Sequence, residues 1–112
     1  FILARWAAIA KAKSGDFRTA REMWLDILKG TGNRALKALV VRQLKNLDLS
    51  EATDYLQKAV RRFQEDRRRL PTDLSELQAT GYVERIPAEP FGGRFYLKDG
   101  KVLTTTPPSQ RE

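Results

Sequence analysis

Pro71 divides this chain. A proline inside a helix removes a backbone donor and clashes with the preceding turn, so the helical patterning of the first 70 residues must end there. Within that part, Ile2, Trp6, Ile9 and Ala10 recur at helical spacing. The break at "SGDF" (Ser14 to Phe17) follows, with Gly15 suited to a tight turn and Asp16 to a helix N-cap. A second stripe runs Phe17, Ala20, Trp24, Ile27, Leu28 and ends in "KGTGN" (Lys29 to Asn33). A third runs Leu36, Leu39, Val40, Leu44, Leu47. Asp48 with Glu51 three residues later reads as a capping box that opens a fourth helix. That helix carries Ala52, Tyr55, Leu56, Ala59, Val60 and Phe63. The expectation is four short amphipathic helices in two antiparallel hairpins.

Beyond Pro71 the signals change. Thr72 or Asp73 can cap a short helix holding Leu74, Leu77 and Gln78, and Gly81 suits its C-terminal end. Tyr82, Val83 and Ile86 anchor an irregular crossing that Pro87 and Pro90 keep extended. Gly92 and Gly93 allow a sharp turn. "RFYLK" alternates and leads through Asp99-Gly100 into "KVLTT", a hairpin signal. The expected fold is mainly α: two helical hairpins over residues 1–66, capped over residues 67–112 by a short helix and a small β-hairpin.

Cysteine and histidine are both absent from the 112 residues. This excludes a disulfide framework and removes the commonest general base and zinc ligand. The apolar runs are far shorter than the roughly 20 residues a bilayer span needs. The net charge of +7 is placed unevenly. Residues 1–47 hold ten Lys or Arg against three Asp or Glu, while residues 71–112 hold five against six. An electrostatic partner is therefore expected on the N-terminal helices. Phe1 is not an initiator Met, so the chain reads as a fragment or a processed product, with further segments expected upstream.

The two helical turns match each other at an offset of 32: Asp16 with Asp48, Phe17 with Leu49, Ala20 with Ala52, Trp24 with Leu56, Ile27 with Ala59. A period of this size accompanies helix-turn-helix repeats. With Gly15-Asp16-Phe17 at the turn, a small Ala20 and a large Trp24, residues 1–66 resemble a degenerate pair of tetratricopeptide repeats. Ala8 and Lys11 stand where that family usually has glycine and an aromatic residue. The closing proline is missing, with Gly32 near that point, and the second copy lacks the turn glycine. An unrelated bundle of αα-hairpins would share the spacing. The resemblance implies a scaffold that holds peptide segments or partner domains on a helical groove.

Leu70, Pro71, Thr72, Leu74, Leu77, Gly81, Tyr82, Pro87, Pro90, Phe91, Gly92 and Tyr96 fall in an order that resembles the globular head of type IV pilins and type II secretion pseudopilins. The likeness covers about residues 55–106 and implies a long helix feeding a short helix, a proline turn and a small sheet. It also implies a component of the bacterial cell envelope. Arg5, Lys11 and Lys13 exclude the apolar membrane helix of a pilin at this chain's start. Asp99 alone between the strands, and Glu89 where the family has aspartate, fall short of the carboxylates a calcium cage needs. No metal or cofactor is expected.

No residue set points to catalysis. Glu22 and Asp26, four apart, read as a solvated face pairing with Arg18 or Lys29. Lys29, Gly30 and Gly32 lack the strand and the Gly-Lys-Ser/Thr of a phosphate loop. Phe91, Phe95 and Tyr96 read as core of the small sheet rather than as base-stacking groups. Arg61, Arg62 and Arg67 to Arg69 form one basic feature; Lys11, Lys13, Arg18, Arg21, Lys37, Arg42 and Lys45 form another. The expected function is a non-catalytic protein–protein interaction module. Lys11, Lys13 and Lys45 would contact acidic groups of a protein or peptide partner. Two alternatives stay open: a nucleic-acid-binding protein using the basic N-terminal surface, and a structural envelope component with a membrane segment upstream.

Overall fold

The computed structural model describes residues 2–111. Expectations that rest on Phe1, or on the side chain of Ile2, lie outside the described residues. In chain order the elements are α1 (Ile2–Lys13), α2 (Phe17–Lys29), α3 (Arg34–Arg67), α4 (Leu74–Ala79), β1 (Phe95–Lys98), β2 (Lys101–Thr104) and α5 (Pro108–Arg111). The fold is mainly α, with a two-stranded antiparallel hairpin near the C-terminus. Two compact units divide it: Phe1–Glu51 with Arg111–Glu112, and Ala52–Gln110. The division falls inside α3; the 66/67 boundary drawn from sequence marks the end of that helix.

In the first unit α1 and α2 form a hairpin. Gly15 turns the chain at φ +86°, and the Asp16 carboxylate accepts from the Thr19 N–H at 3.2 Å, capping α2. Ala8 and Ala20 are fully buried, and their small side chains leave room for close helix packing. Trp24 of α2 and Val40 and Leu47 of α3 complete this core, flanked by Phe17, Ile27, Leu28, Leu36 and Leu44. The face expected of α1 is corrected. Ala8, Ile9 and Ala12 face the core, whereas Trp6 is 63% exposed.

The second helical hairpin does not form. Residues Arg34–Arg67 are one uninterrupted helix, so the third and fourth expected helices are halves of α3. Nothing between Arg34 and Arg67 breaks the helix, and glycine and proline are absent there. Asp48 and Glu51 do not cap a helix; both accept from Nη2 of Arg21 on α2, at 2.6 and 2.7 Å. The buried positions of α3 change phase at this point. Val40 and Leu47 share one face, and Leu49 lies more than half a turn away from it. Leu56, Ala59, Val60 and Phe63 then continue from the new face. A phase slip beside an Asp-x-x-Glu pattern imitates a helix boundary.

The second unit packs α4 and the hairpin on the C-terminal half of α3. Leu56, Ala59, Val60 and Phe63 meet Leu74, Leu77, Val83 and Val102. Phe63, Leu56 and Leu77 are fully enclosed, each worth about 1.5–3 kcal/mol of burial. Arg68 ends α3 in the left-handed region at φ 59°, its N–H bonded to Gln64 O at 2.9 Å. Asp73 caps α4 through the Glu76 N–H at 3.0 Å. Gly81 closes α4 at φ +83°, with the Tyr82 N–H reaching back to Leu77 O at 2.9 Å. Asp99 (φ 52°) and Gly100 (φ 79°) make the two-residue turn that sets Tyr96 opposite Leu103 and Lys98 opposite Lys101. The Gln57 side-chain amide then lies against β2 as a peptide group would. Its Nε2 donates to Gly100 O at 2.8 Å, and its Oε1 accepts from the Val102 N–H at 3.0 Å.

Glu89 ties the proline turn to the end of β2. It is only 9% exposed. Its carboxylate accepts from the Phe91 N–H, from the Thr104 hydroxyl at 2.6 Å and from the Thr106 hydroxyl. Gly93 lines the same cradle: a Cβ there would stand 2.6 Å from Glu89 Oε2 and from Thr106 Oγ1. Burial pushes the Glu89 carboxyl upward, but the Thr104 and Thr106 hydroxyls and the backbone N–H groups of Phe91 and Gly93 outweigh it and hold it below its ordinary value.

Two outcomes test this architecture. Ser50 is exposed in mid-helix. Ser50→Pro would be tolerated in the first turn of a separate helix but should cost about 3 kcal/mol in a continuous α3, read by urea unfolding. Glu89→Ala should cost about 2 kcal/mol at neutral pH, because it orphans buried donors. A carboxyl whose folded pKa is lowered stabilises the fold above its unfolded pKa, and that contribution fades as pH falls through the folded value. The Glu89→Ala penalty should therefore shrink in acid, as pH falls below the ordinary carboxyl value, when the two chains are compared by denaturant titration.

Candidate functional site

Several of the arginines help to hold the fold. Arg21 bridges Asp48 and Glu51, and Arg18 pairs with Glu22 at 3.7 Å on an exposed face. In the second unit Arg69 grips Glu76 with both Nη atoms, at 2.9 and 2.8 Å. That pairing, with the Thr72 N–H at 2.9 Å, lowers the Glu76 carboxyl to about 2. Arg62 donates to Tyr82 O at 3.2 Å. The Arg67 guanidinium lies 5.4 Å from the Phe63 ring centre and 5.8 Å from that of Tyr82, and Arg69 lies 4.9 Å from Phe63. The Tyr82 hydroxyl donates to Asp66 at 2.8 Å. The arginine run that reads as a basic patch in sequence thus fastens α4 and its following turn to α3. Arg61 and Arg68 stay at the surface beside Gln64 and Glu65.

The three lysines singled out from sequence are all exposed. Lys11 and Lys13 occupy the last turn of α1, and Lys11 contributes a positive field to the Asp16 cap. Lys13 stands at the edge of a shallow depression of about 140 Å³. Ile9 and Ala12 of α1, Trp24 of α2 and Leu47 of α3 give it an apolar floor, and Gln43, Asn46 and Ser50 a polar side. Lys45 is on α3 but outside that lining. The structure therefore sets Lys13 on the depression and leaves Lys11 and Lys45 off it.

Sequence reasoning missed the outer face of α1. Leu3, Trp6, Ala7 and Ala10 fall at helical spacing, and all four are exposed; Leu3 is 85% accessible. This helix is apolar on two sides, so periodicity alone did not say which side is buried. An exposed tryptophan on an apolar stripe, flanked by Lys11 and Lys13 at its C-terminal end, is the surface feature of this unit that most asks for a partner. No group of three or more Asp, Glu, His or Cys among the described residues is placed to hold a metal ion. Among them, no helix is long and apolar enough to cross a membrane. No protein-family model, curated protein or solved structure matches the chain.

The two tryptophans offer a direct check of this surface. Trp24 is 2% exposed and Trp6 is 63% exposed. In a Trp24→Phe variant the remaining emission should be red-shifted and strongly quenched by acrylamide. In Trp6→Phe it should be blue-shifted and protected.

Proposed function

We propose that this chain is a non-catalytic interaction module whose first unit receives an acidic, amphipathic protein segment. The observation that carries this reading is the exposed Leu3, Trp6, Ala7, Ala10 stripe of α1 with Lys11 and Lys13 flanking its C-terminal end. A partner helix would lay apolar side chains on Leu3 and Trp6, with Ala7 and Ala10 admitting a close backbone. Its carboxylates would meet Lys11 and Lys13, and Lys45 where the partner reaches α3. Tryptophan is enriched among residues that dominate binding energy.

Two resemblances support the assignment. The α1–α2 hairpin carries the Gly15-Asp16-Phe17 turn, the buried Ala20 and the buried Trp24 of a tetratricopeptide-like repeat. The run from long α3 through Pro71, α4 and the proline turn to the hairpin has the order of a pseudopilin-like head. We accordingly propose a scaffold of the cell envelope, with nucleic acid on the same basic surface as the runner-up.

The test is a capture experiment with the full chain, from soluble and envelope fractions, with nuclease and at moderate salt. A defined protein held by the unaltered chain should be held at least tenfold more weakly by a Trp6→Ser, Lys11→Glu, Lys13→Glu, Lys45→Glu variant. In the Trp24→Phe background that partner should shift Trp6 emission to the blue. Equal capture by the variant, or capture of nucleic acid alone, would sink the proposal.

A further inference from the structure

The outer face of the β-hairpin carries its own arrangement, independent of the α1 surface. Strand alternation places Arg94, Tyr96 and Lys98 on one side of the ribbon, and the register sets Leu103 opposite Tyr96 and Lys101 opposite Lys98. All five side chains are exposed, Tyr96 by 42%. Phe95, Leu97 and Val102 take the other side and pack on the core. The expectation that Tyr96 belongs to that core is thereby corrected.

Two features of this face are costly for a purely structural hairpin. Like charges directly opposite each other across a strand pair repel. Lys98 and Lys101 hold that position without relief: among the described residues neither they nor Arg94 lies within ion-pair distance of a carboxylate. Tyr96 is 42% exposed although its strand neighbours Phe95 and Leu97 pack against the core. An exposed aromatic ring with a cation two residues away on each side, and a third across the ribbon, matches a polyanion that also offers flat apolar surfaces. Single-stranded nucleic acid has both, phosphates for the cations and bases for the ring. An acidic peptide supplies the charge but does not by itself call for the ring.

We infer that the outer face of the hairpin is a short binding site for single-stranded nucleic acid, in which a base stacks on Tyr96 while Arg94, Lys98 and Lys101 contact phosphates. Leu103 gives the stacked base an apolar edge. Three phosphate contacts set the expected salt dependence of this face: a slope of log K against log salt of about −2.

The experiment is fluorescence anisotropy of a labelled oligo-dT with the full chain, across a salt series. Tyr96→Ser should weaken binding about tenfold or more with little change of salt slope. Lys98→Gln with Lys101→Gln should make the slope shallower by about 1.4. The same double variant should raise the thermal unfolding midpoint, because it removes the repulsion between the lysines; this also shows that the variant folds. Inorganic polyphosphate, which has no bases, should bind the unaltered chain and the Tyr96→Ser variant alike. Lys11→Gln with Lys13→Gln should leave the Tyr96 effect intact, which separates this face from the α1 surface. Unchanged oligonucleotide binding by the hairpin variants would overturn the inference. So would a poly-glutamate probe that binds as tightly and is lost on the same substitutions, which would make the occupant an acidic peptide.

Discussion

The unbroken backbone of α3 is the constraint on which both cores depend. Val40 and Leu47 serve the first unit, and Leu56, Ala59, Val60 and Phe63 serve the second. The change of buried face between Leu47 and Leu49 costs no helical hydrogen bonds, because side-chain phase and backbone continuity are separate properties. A helix can therefore hand its burial from one core to another without a turn. The chain marks that point with acidic residues at Asp48 and Glu51, and Arg21 binds both.

Charged and polar side chains elsewhere act as fasteners at the ends of elements. Arg69 and Glu76 join the residue run after α3 to the first turn of α4, where an acidic group is also favoured by the helix dipole. Gln57 supplies the edge of β2 with a substitute for a neighbouring strand, which a two-stranded ribbon otherwise lacks. These contacts explain why a chain of net charge +7 leaves few of its central arginines for a partner. Lys11 and Lys13 on α1, and Arg94, Lys98 and Lys101 on the hairpin, are exposed.

The local parts of this fold were legible in the sequence. Gly15 with Asp16, Asp73, Gly81 and Asp99 with Gly100 each specify a backbone conformation within a few residues, and each sits where that conformation is needed. The stripe of α2 and most core residues of α3 were legible from helical spacing, although Tyr55 of the α3 stripe is 40% exposed. The second helical turn was not, because Asp-x-x-Glu is written identically whether the carboxylates bind backbone N–H groups or an arginine 27 and 30 residues away. Lys11, Lys13 and Lys45 were chosen by charge, and charge does not tell which side of a helix a residue occupies. The exposure of Trp6 and Tyr96 was hidden because aromatic residues are ordinarily core. Glu89 was read only as a missing metal ligand, since its partners Thr104 and Thr106 come 15 and 17 residues later.

That separation has a kinetic side. The bond from Thr104 to Glu89 closes a loop of 15 residues, and fixing the ends of such a loop costs about 2–3 kcal/mol of chain entropy. The Asp99-Gly100 turn lies inside it and spans only a few residues, so it can form first and shorten the loop that remains. Zipping of β1 on β2 then delivers Thr104 to the carboxylate almost without further search. The proline turn and the hairpin should consequently assemble as a single step late in folding, with the ionised Glu89 as the latch that makes the step hard to reverse.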